Sequence, residues 1–441
     1  MKQKFLLVVA VVLFACLSCS KHYVPAPDQK YPADLANAWM QLHIRLTRST
    51  TGYNSLVSNR SFGYAGITLY ESLAPGIPGS RSLLPQIGGT AVTTDKNRNA
   101  YYWPASANAA MAAISRSFFE STSDANKASI DSLENAYSVQ FQSEADVDEI
   151  QNAIEYGRQV ATSIFEWSKT DGGHQAYLHI TDPNITQLGD GTGHDGIWIS
   201  TTLPPAAPAL PVHPHWGDNR SFIANIAVST QPGPPLAYSE DPKSPFYEMV
   251  NELYTISLSL SHEDSTIARF WGDQPGNLNV PAHATNILTQ LIVNKHLDLE
   301  LAAAAYALHG IALYDASIAA FKTKYTYKLL RPATYIRNVM MHPDWNTVIP
   351  TPSHPEYSAA HAVVSAASAA ILEKIFGAHC SFTDHTYEAT YGARSFNSVA
   401  DYAREAGRSR LLAGIHYSPS IAAGLVQGRL VGYQVVQLRI R

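Results

Sequence analysis

Cysteine is nearly absent: the chain has three in 441 residues, at positions 16, 19 and 380. A disulfide-built fold is therefore excluded, and so is a cysteine-based zinc framework. Basic clusters are missing as well. The net charge is −5 and no polybasic run occurs, so nucleic acid is not an expected partner. No internal repeat of fixed period is present, which excludes solenoids and propellers. Valine-rich alternating stretches are few, which argues against a large sheet. After the first seventeen residues no helix of bilayer-spanning length is expected, which disfavours an integral membrane protein.

The chain opens with Lys2, Lys4 and an apolar run over residues 5–17, too short to cross a bilayer. Ala15-Cys16-Leu17-Ser18-Cys19-Ser20 follows and resembles a bacterial lipoprotein processing site. Cys19 is the expected lipidated residue, with Cys16 as the alternative and an ordinary signal peptide as the plainer reading. Each version implies export. The lipidated version implies an anchor in the bacterial cell envelope, facing the periplasm or the cell surface. Cleavage before Cys19 leaves Cys380 as the sole cysteine of the folded body, expected to be a packed apolar residue. Residues 20–33 read as a tether. Residues 34–441 read as one all-α domain whose motifs begin at about 245.

With 46% hydrophobic residues, the chain can bury a large core. Helical periodicity runs through residues 36–47, with Asp34 as candidate N-cap, then 59–73, 108–119, 123–136 and 145–167. Glu71 is embedded in an apolar face. Residues 170–242 break the pattern, being rich in Gly, Pro, His and Asp. A loop of that length is functional or wraps a surface. Its His213-Pro214-His215 could be half a zinc site, but no third ligand sits at a regular spacing, so hydrogen-bonded or surface histidines are the plainer reading. Helices resume at 245–258, after Ser261, and at 281–293 and 297–325. The last carries His309 and Asp315 among alanines, expected to be satisfied core polar groups.

The stretch 350–361, Pro-Thr-Pro-Ser-His-Pro-Glu-Tyr-Ser-Ala-Ala-His, runs a proline-stiffened loop into an alanine-rich helix. Ser358 is the expected N-cap. Free N–H groups and the helix dipole would make an anion site beside His361. Lys324 and Arg331 are seven residues apart, two turns if on one helix, with Pro332 stopping that helix. Farther on, Gly414 can end a helix and Ser418-Pro419 can start another. His416 then lies in the joint, six residues after Arg410. Two arginines, one lysine, one helix N-terminus and two histidines suit a tetrahedral oxyanion. Guanidinium forks match its oxygens, lysine adds a point charge, one histidine bonds the central atom and the other moves protons.

The order and spacing of these pieces resemble a known signature. Lys324 to Arg331-Pro332, the segment ending at His361, and Ser409-Arg410 to His416 are similar to the three motifs of the type 2 phosphatidic acid phosphatase and vanadium-dependent haloperoxidase superfamily. Phe270-Trp271-Gly272-Asp273-Gln274-Pro275-Gly276, with Pro281 and His283, resembles the matching region of bacterial haloperoxidase-type members.

The resemblance implies an all-α, helical-bundle fold of the vanadium haloperoxidase and acid phosphatase type. It implies vanadate as cofactor, with phosphate competing for the same site. His416 would be the ligand to vanadium, or the nucleophile of a phosphatase. Arg331, Arg410 and Lys324 would hold the equatorial oxygens, with Lys324 also polarising the oxidant. The Ala360 N–H would replace the family's glycine amide. His361 would be the acid–base residue, and Asp273 would orient an arginine. Hydrogen peroxide and a halide would be the substrates, bromide or iodide rather than chloride, with His354 on the halide side.

Two departures stand out. Ala359 replaces a serine whose hydroxyl bonds the oxyanion, leaving Ser358 to reach round from the cap. Ser420 replaces the aspartate that often fixes the histidine tautomer in phosphatases, which weakens the phosphatase reading. Two alternatives stay open on the same scaffold. One is an exported acid phosphatase acting on a phosphate ester through a phosphohistidine. The other is a non-catalytic oxyanion-binding lipoprotein.

Overall fold

The computed structural model describes residues 30–273 and 276–441. The expected leader with Cys16 and Cys19, the tether as far as residue 29, and Gln274-Pro275 lie outside the described residues. The described chain is 57% helix and 3% strand, an all-α fold as expected. In chain order the helices are α1 Asp34–Ser49, α2 Ser55–Glu71, α3 Trp103–Phe118, α4 Asp124–Phe141, α5 Val147–Ser168, α6 Ile226–Ser229, α7 Pro245–Ser257, α8 His262–Phe270, α9 Val280–Asn294, α10 Leu299–Tyr327, α11 Pro332–Asn338, α12 Ala360–Phe376, α13 Glu388–Tyr391, α14 Val399–Leu412 and α15 Ser418–Val435. Two short antiparallel strands, β1 Phe382–Asp384 and β2 Arg394–Phe396, pair Phe382 with Phe396.

Helix α10 is the axis of the molecule. Asp298 caps it by accepting the N–H of Leu301, and its alanine-rich interior favours continuous helix. It is long and apolar enough to cross a bilayer, against the sequence expectation, but 94% of that window is buried inside the protein. A helix apolar on all faces and packed on all faces is a core helix. Small residues let its neighbours approach closely. A Cβ placed on Gly310 would lie 2.5 Å from the carbonyl oxygen of Phe62, so α2 and α10 meet backbone to backbone. A Cβ on Gly424 of α15 would lie 2.8 Å from Ala359 O, which brings α15 against the start of α12.

Buried polar groups pin the other layers to this axis. His309 Nε2 lies 2.8 Å from Ser368 Oγ and ties α10 to α12. Asp315 accepts the N–H groups of Phe222 and Ile223, each at 2.8 Å. Asp171 accepts from Arg60 Nε at 2.8 Å, Tyr64 OH at 2.9 Å and Tyr314 OH at 3.1 Å. The long segment 170–242 is therefore anchored at both Asp171 and Asp315, and it wraps the bundle with few regular elements. Glu71 is satisfied by Ser82 Oγ and the N–H of Leu83. Cys380 is buried and unpaired, as expected. The end of the expected tether is fixed in place, because Leu299 N donates to Tyr31 O at 2.8 Å. Ala33 rather than Asp34 occupies the N-cap of α1, with no side-chain capping bond.

Two core histidines make the fold acid-sensitive. Burial lowers His309 to about 3 and His43, paired with Ser61 at 3.0 Å, also to about 3. Both are neutral in the fold, while the unfolded chain takes up their protons near pH 6.5. Their stabilisation is complete above pH 6.5 and is lost as pH falls from there toward 3, by up to about 1.4 kcal/mol per pH unit each. His309→Gln should flatten the pH dependence of the urea-unfolding free energy between pH 6.5 and 4. Parallel curves for the variant and the parent would overturn this assignment.

Candidate functional site

The site forms at the C-terminal end of α10. Lys324 lies in the last turn of that helix, which stops at Lys328 in the left-handed conformation, φ 52°. Arg331 is the N-cap of α11, and Pro332 opens that helix instead of ending α10. The two cations are therefore not two turns apart on one helix. They meet because the chain turns between them. Lys324 Nζ donates to the carbonyls of Pro355 and Glu356, both at 2.9 Å. Arg331 donates through Nε to His354 O at 2.9 Å and through Nη1 to Ile415 O at 2.8 Å. Both side chains brace the loop that precedes α12.

His416 sits in the joint between α14 and α15, after Gly414 at φ 77°, where the sequence places it. Its Nδ1 lies 2.8 Å from Glu356 Oε1, and its Nε2 lies 3.1 Å from Arg331 Nη1. A carboxylate only accepts and a guanidinium only donates, so the proton sits on Nδ1 and Nε2 presents a lone pair. Glu356 also accepts the N–H of Tyr417 at 3.0 Å and the hydroxyl of Ser420 at 2.7 Å. The carboxylate that appeared to be missing at position 420 is thus supplied by Glu356, and Ser420 holds it. Glu356 escaped the sequence reading although it stands between His354 and His361 in the motif segment. Burial raises its carboxyl above the usual range against the pull of Ser420, Lys324 and Arg331. Burial, then Arg331 and Lys324, hold His416 well below its ordinary value.

Helix α12 starts at Ala360, with Ala359 at the N-cap and no side-chain capping bond. Ser358 is neither the cap nor a donor to the cavity. Its hydroxyl donates to Gln427 Oε1 at 2.7 Å, and Gln427 Nε2 in turn bonds Thr323 Oγ1 at 2.9 Å. The first-turn N–H groups of α12 are left without a side-chain partner. His361 Nε2 lies 3.1 Å from Trp271 O and 3.6 Å from Asp273 Oδ1. The carbonyl can only accept, so Nε2 carries the proton and Nδ1 is the free base. Asp273 pairs with this histidine and takes the hydroxyl of Ser55. It makes no hydrogen bond to an arginine among the described residues and acts on Arg410 through its charge. Arg410 instead donates to Ser409 Oγ at 2.9 Å and Ala268 O at 3.3 Å. Burial and Arg410 lower His361 despite the opposing Asp273. Asp273 itself is lowered against burial, chiefly by His361.

Ala360, His361, Arg410, His416, His354 and Asp273 line one cavity of about 440 Å³. Lys324 and Arg331 stand behind that surface. His354 covers Arg331, whose Nη2 lies 3.0 Å from its Nδ1. The far wall comes from residues that carried no motif: Asn54, Ser55, Leu56 and Asn59 at the start of α2, and Val212 and His213 of the long segment. Val212 N donates to Ser353 O at 2.9 Å, which docks that segment on the site loop. His213 Nε2 lies 2.7 Å from Asn54 Nδ2. Asn54 Oδ1 already caps α2, so its amide nitrogen is the donor. Burial lowers His213 to about 4, so it is neutral. His215 is exposed and bonds Asp182 at 2.9 Å. No group of three potential metal ligands occurs among the described residues, so the half-zinc-site reading gains no third ligand.

Of three buried cations, Lys324 and Arg331 feel the fully buried carboxylate of Glu356, and Arg410 feels the carboxylate of Asp273. Burial pushes both arginines down to about 10. An excess of buried positive charge, an uncapped helix N-terminus and an imidazole lone pair together suit a tetrahedral oxyanion. The residues therefore fit vanadate.

Residues 304–441 match the VCPO second helical-bundle domain. Among curated proteins, none matches the chain. The chain is similar in structure to the first bacterial vanadium-dependent iodoperoxidase, with 28% sequence identity and a TM-score of 0.79 over 93% of this chain and 97% of that one. Holo and apo structures of a bacterial vanadium-dependent chloroperoxidase share its fold at 14% identity, with TM-scores of 0.63 and 0.62. They cover 94% of this chain, and it covers 96% and 98% of theirs. The C-terminal bundle is thus matched by that domain, and nearly the whole length of the chain shares its fold with the iodoperoxidase.

Proposed function

We propose that the protein is a vanadate-dependent haloperoxidase that oxidises bromide or iodide with hydrogen peroxide to hypohalous acid. The observation that carries this reading is the Nε2 lone pair of His416, fixed by Glu356 on the opposite ring nitrogen and set among Arg331, Arg410 and Lys324. His416 Nε2 would hold vanadate, and the three cations with the Ala360 N–H would balance its oxygens. Bound there, vanadate supplies Lewis-acid activation of peroxide without a change of oxidation state. The overall reaction joins peroxide, halide and one proton to give hypohalous acid and water. His361 is the group that moves the protons: Nδ1 takes one from incoming peroxide and returns it to departing water, while Asp273 steadies the charged ring. Lys324 and Arg331 supply positive charge from behind the site loop.

A phosphatase reading gains one observation. Glu356 gives His416 the tautomer that a phosphohistidine requires, so Ser420 does not count against it. The two readings part in one assay. Vanadate reconstitution with peroxide and iodide or bromide should give halide oxidation, with little hydrolysis of p-nitrophenyl phosphate. Inactivity with every halide, together with phosphatase turnover, would reverse the assignment.

Two variants probe the residue roles. His416→Ala should abolish halide oxidation, and Glu356→Gln should lower vanadate affinity or turnover by roughly 10–100-fold, as losses of ligand-orienting partners do. Wild-type affinity in Glu356→Gln would remove the tautomer argument. Asp273 raises the proton affinity of His361, so Asp273→Asn should move the acidic limb of the pH–rate profile to lower pH. An unmoved limb would detach His361 from that titration.

A further inference from the structure

Both strands of the small sheet send a charged side chain toward one residue, Trp271, through one intermediary each. Trp271 matters because His361 Nε2 donates to its carbonyl oxygen at 3.1 Å. Trp271 is the C-cap of α8, so that carbonyl has no partner within the helix to fix it. The residue is fixed by its indole instead. On the ring face, His283 of α9 stacks with 4.7 Å between centroids and 19° between planes. His283 Nε2 lies 2.7 Å from Asp384 Oδ2 in β1, and both residues are buried. A carboxylate only accepts, so this nitrogen carries the proton. At the ring edge, Trp271 Nε1 donates to Glu405 Oε1 at 2.9 Å. Arg394 of β2 grips Glu405 through Nε at 2.6 Å and Nη2 at 2.8 Å. Asp384 and Arg394 face each other in the strand register. One cross-strand pair thus holds the indole by its face and by its edge. Apolar residues of similar volume would cover the same ring without desolvating charge, but they would not fix its orientation.

We infer that the Asp384–His283 and Arg394–Glu405 pairs are positioning residues for His361, acting through Trp271 to hold the carbonyl that keeps the proton on Nε2. The inference deepens the haloperoxidase reading, because a proton held on Nε2 leaves Nδ1 free to take one from peroxide. None of the four residues lines the cavity, so they touch neither substrate nor cofactor. Asp273 Oδ1, 3.6 Å from the same nitrogen, is the other acceptor His361 can use. The contribution of the carbonyl is therefore read with Asp273 removed.

The test is ¹⁵N NMR of histidine-labelled, vanadate-free protein above the histidine range, at about pH 8. The His361 signals are assigned by their loss in His361→Gln. In Asp273→Ala the ring should remain a single Nε2–H tautomer, held by Trp271 alone. Adding His283→Phe, which keeps a ring on the indole but loses Asp384, should move both nitrogen shifts toward the averaged values of free imidazole. Adding Trp271→Phe, which keeps the stack but loses Glu405, should do the same. The two variants reach the indole by different routes, so failure of one to fold leaves the other to decide. With Asp273 intact, kcat for iodide oxidation should fall about ten-fold in each variant, part of the roughly 10²–10⁴-fold that positioned proton transfer contributes, with KM for peroxide within about two-fold. Averaged shifts in Asp273→Ala alone, unmoved shifts in the double variants, or an unchanged kcat would each overturn the inference. The spectra need neither vanadate nor halide, so a parent inactive toward every halide would sink the haloperoxidase reading and leave the positioning to be judged by tautomer.

Discussion

The buried carboxylate of Glu356 is the constraint on which the site depends. It accepts from His416 Nδ1, the N–H of Tyr417 and the hydroxyl of Ser420, while its own backbone carbonyl receives Lys324 Nζ. One residue thereby sets the histidine tautomer, fixes the joint between α14 and α15, and ties both to the end of α10. It is also the single fully buried anion beside Lys324 and Arg331. Removing one partner from such a buried charged cluster typically costs about 3–5 kcal/mol, because the remaining charge is left without compensation. The position of Glu356 in the fold is therefore as tightly specified as that of the histidine it orients.

The bundle makes that specification possible. Three helices approach the site with little side-chain bulk between them, since α10 and α12 are alanine-rich and glycines on α10 and α15 admit neighbouring backbones. Closely packed interiors leave few alternative arrangements. The end of α10, the start of α12 and the joint before α15 are consequently held as one rigid frame. The site loop is held across that frame by Lys324, which donates to two of its carbonyls, and by Arg331, which donates to a third.

Much of this was legible in the sequence, though not always for the right reason. Long alanine-rich periodic runs give away the helices, and the spacing of His361, Arg410 and His416 places them at helix ends. Lys324 and Arg331 were expected to be neighbours on one helix. They are neighbours, but across a helix end. That end carries no glycine, because Lys328 itself adopts the left-handed conformation, so the usual stop signal is missing. Ser358 has the right residue type for a cap, yet a glutamine 69 positions away claims its hydroxyl. Asn54, Ser55, Asn59 and His213 reach the cavity only through tertiary packing, and no local pattern marks them. Local propensity speaks to what a segment prefers, and these residues are placed by what other segments need.

The charge balance explains why such a site should be shaped around an ion. Burial works against every cation here: Lys324 is pushed well below its ordinary value, and both arginines fall to about 10. The fold therefore carries positive charge that it does not neutralise from within. A surface cluster would be relieved by water and salt, but Lys324 and Arg331 are fully buried and of the three only Arg410 lines the cavity. An oxyanion at the N-terminus of α12 would offset all three cations and meet the uncapped N–H groups at once, so its affinity comes from a cost already present in the free protein. The tetrahedral shape, the single imidazole lone pair and the proton-bearing histidine alongside then decide which anion and which reaction make use of it.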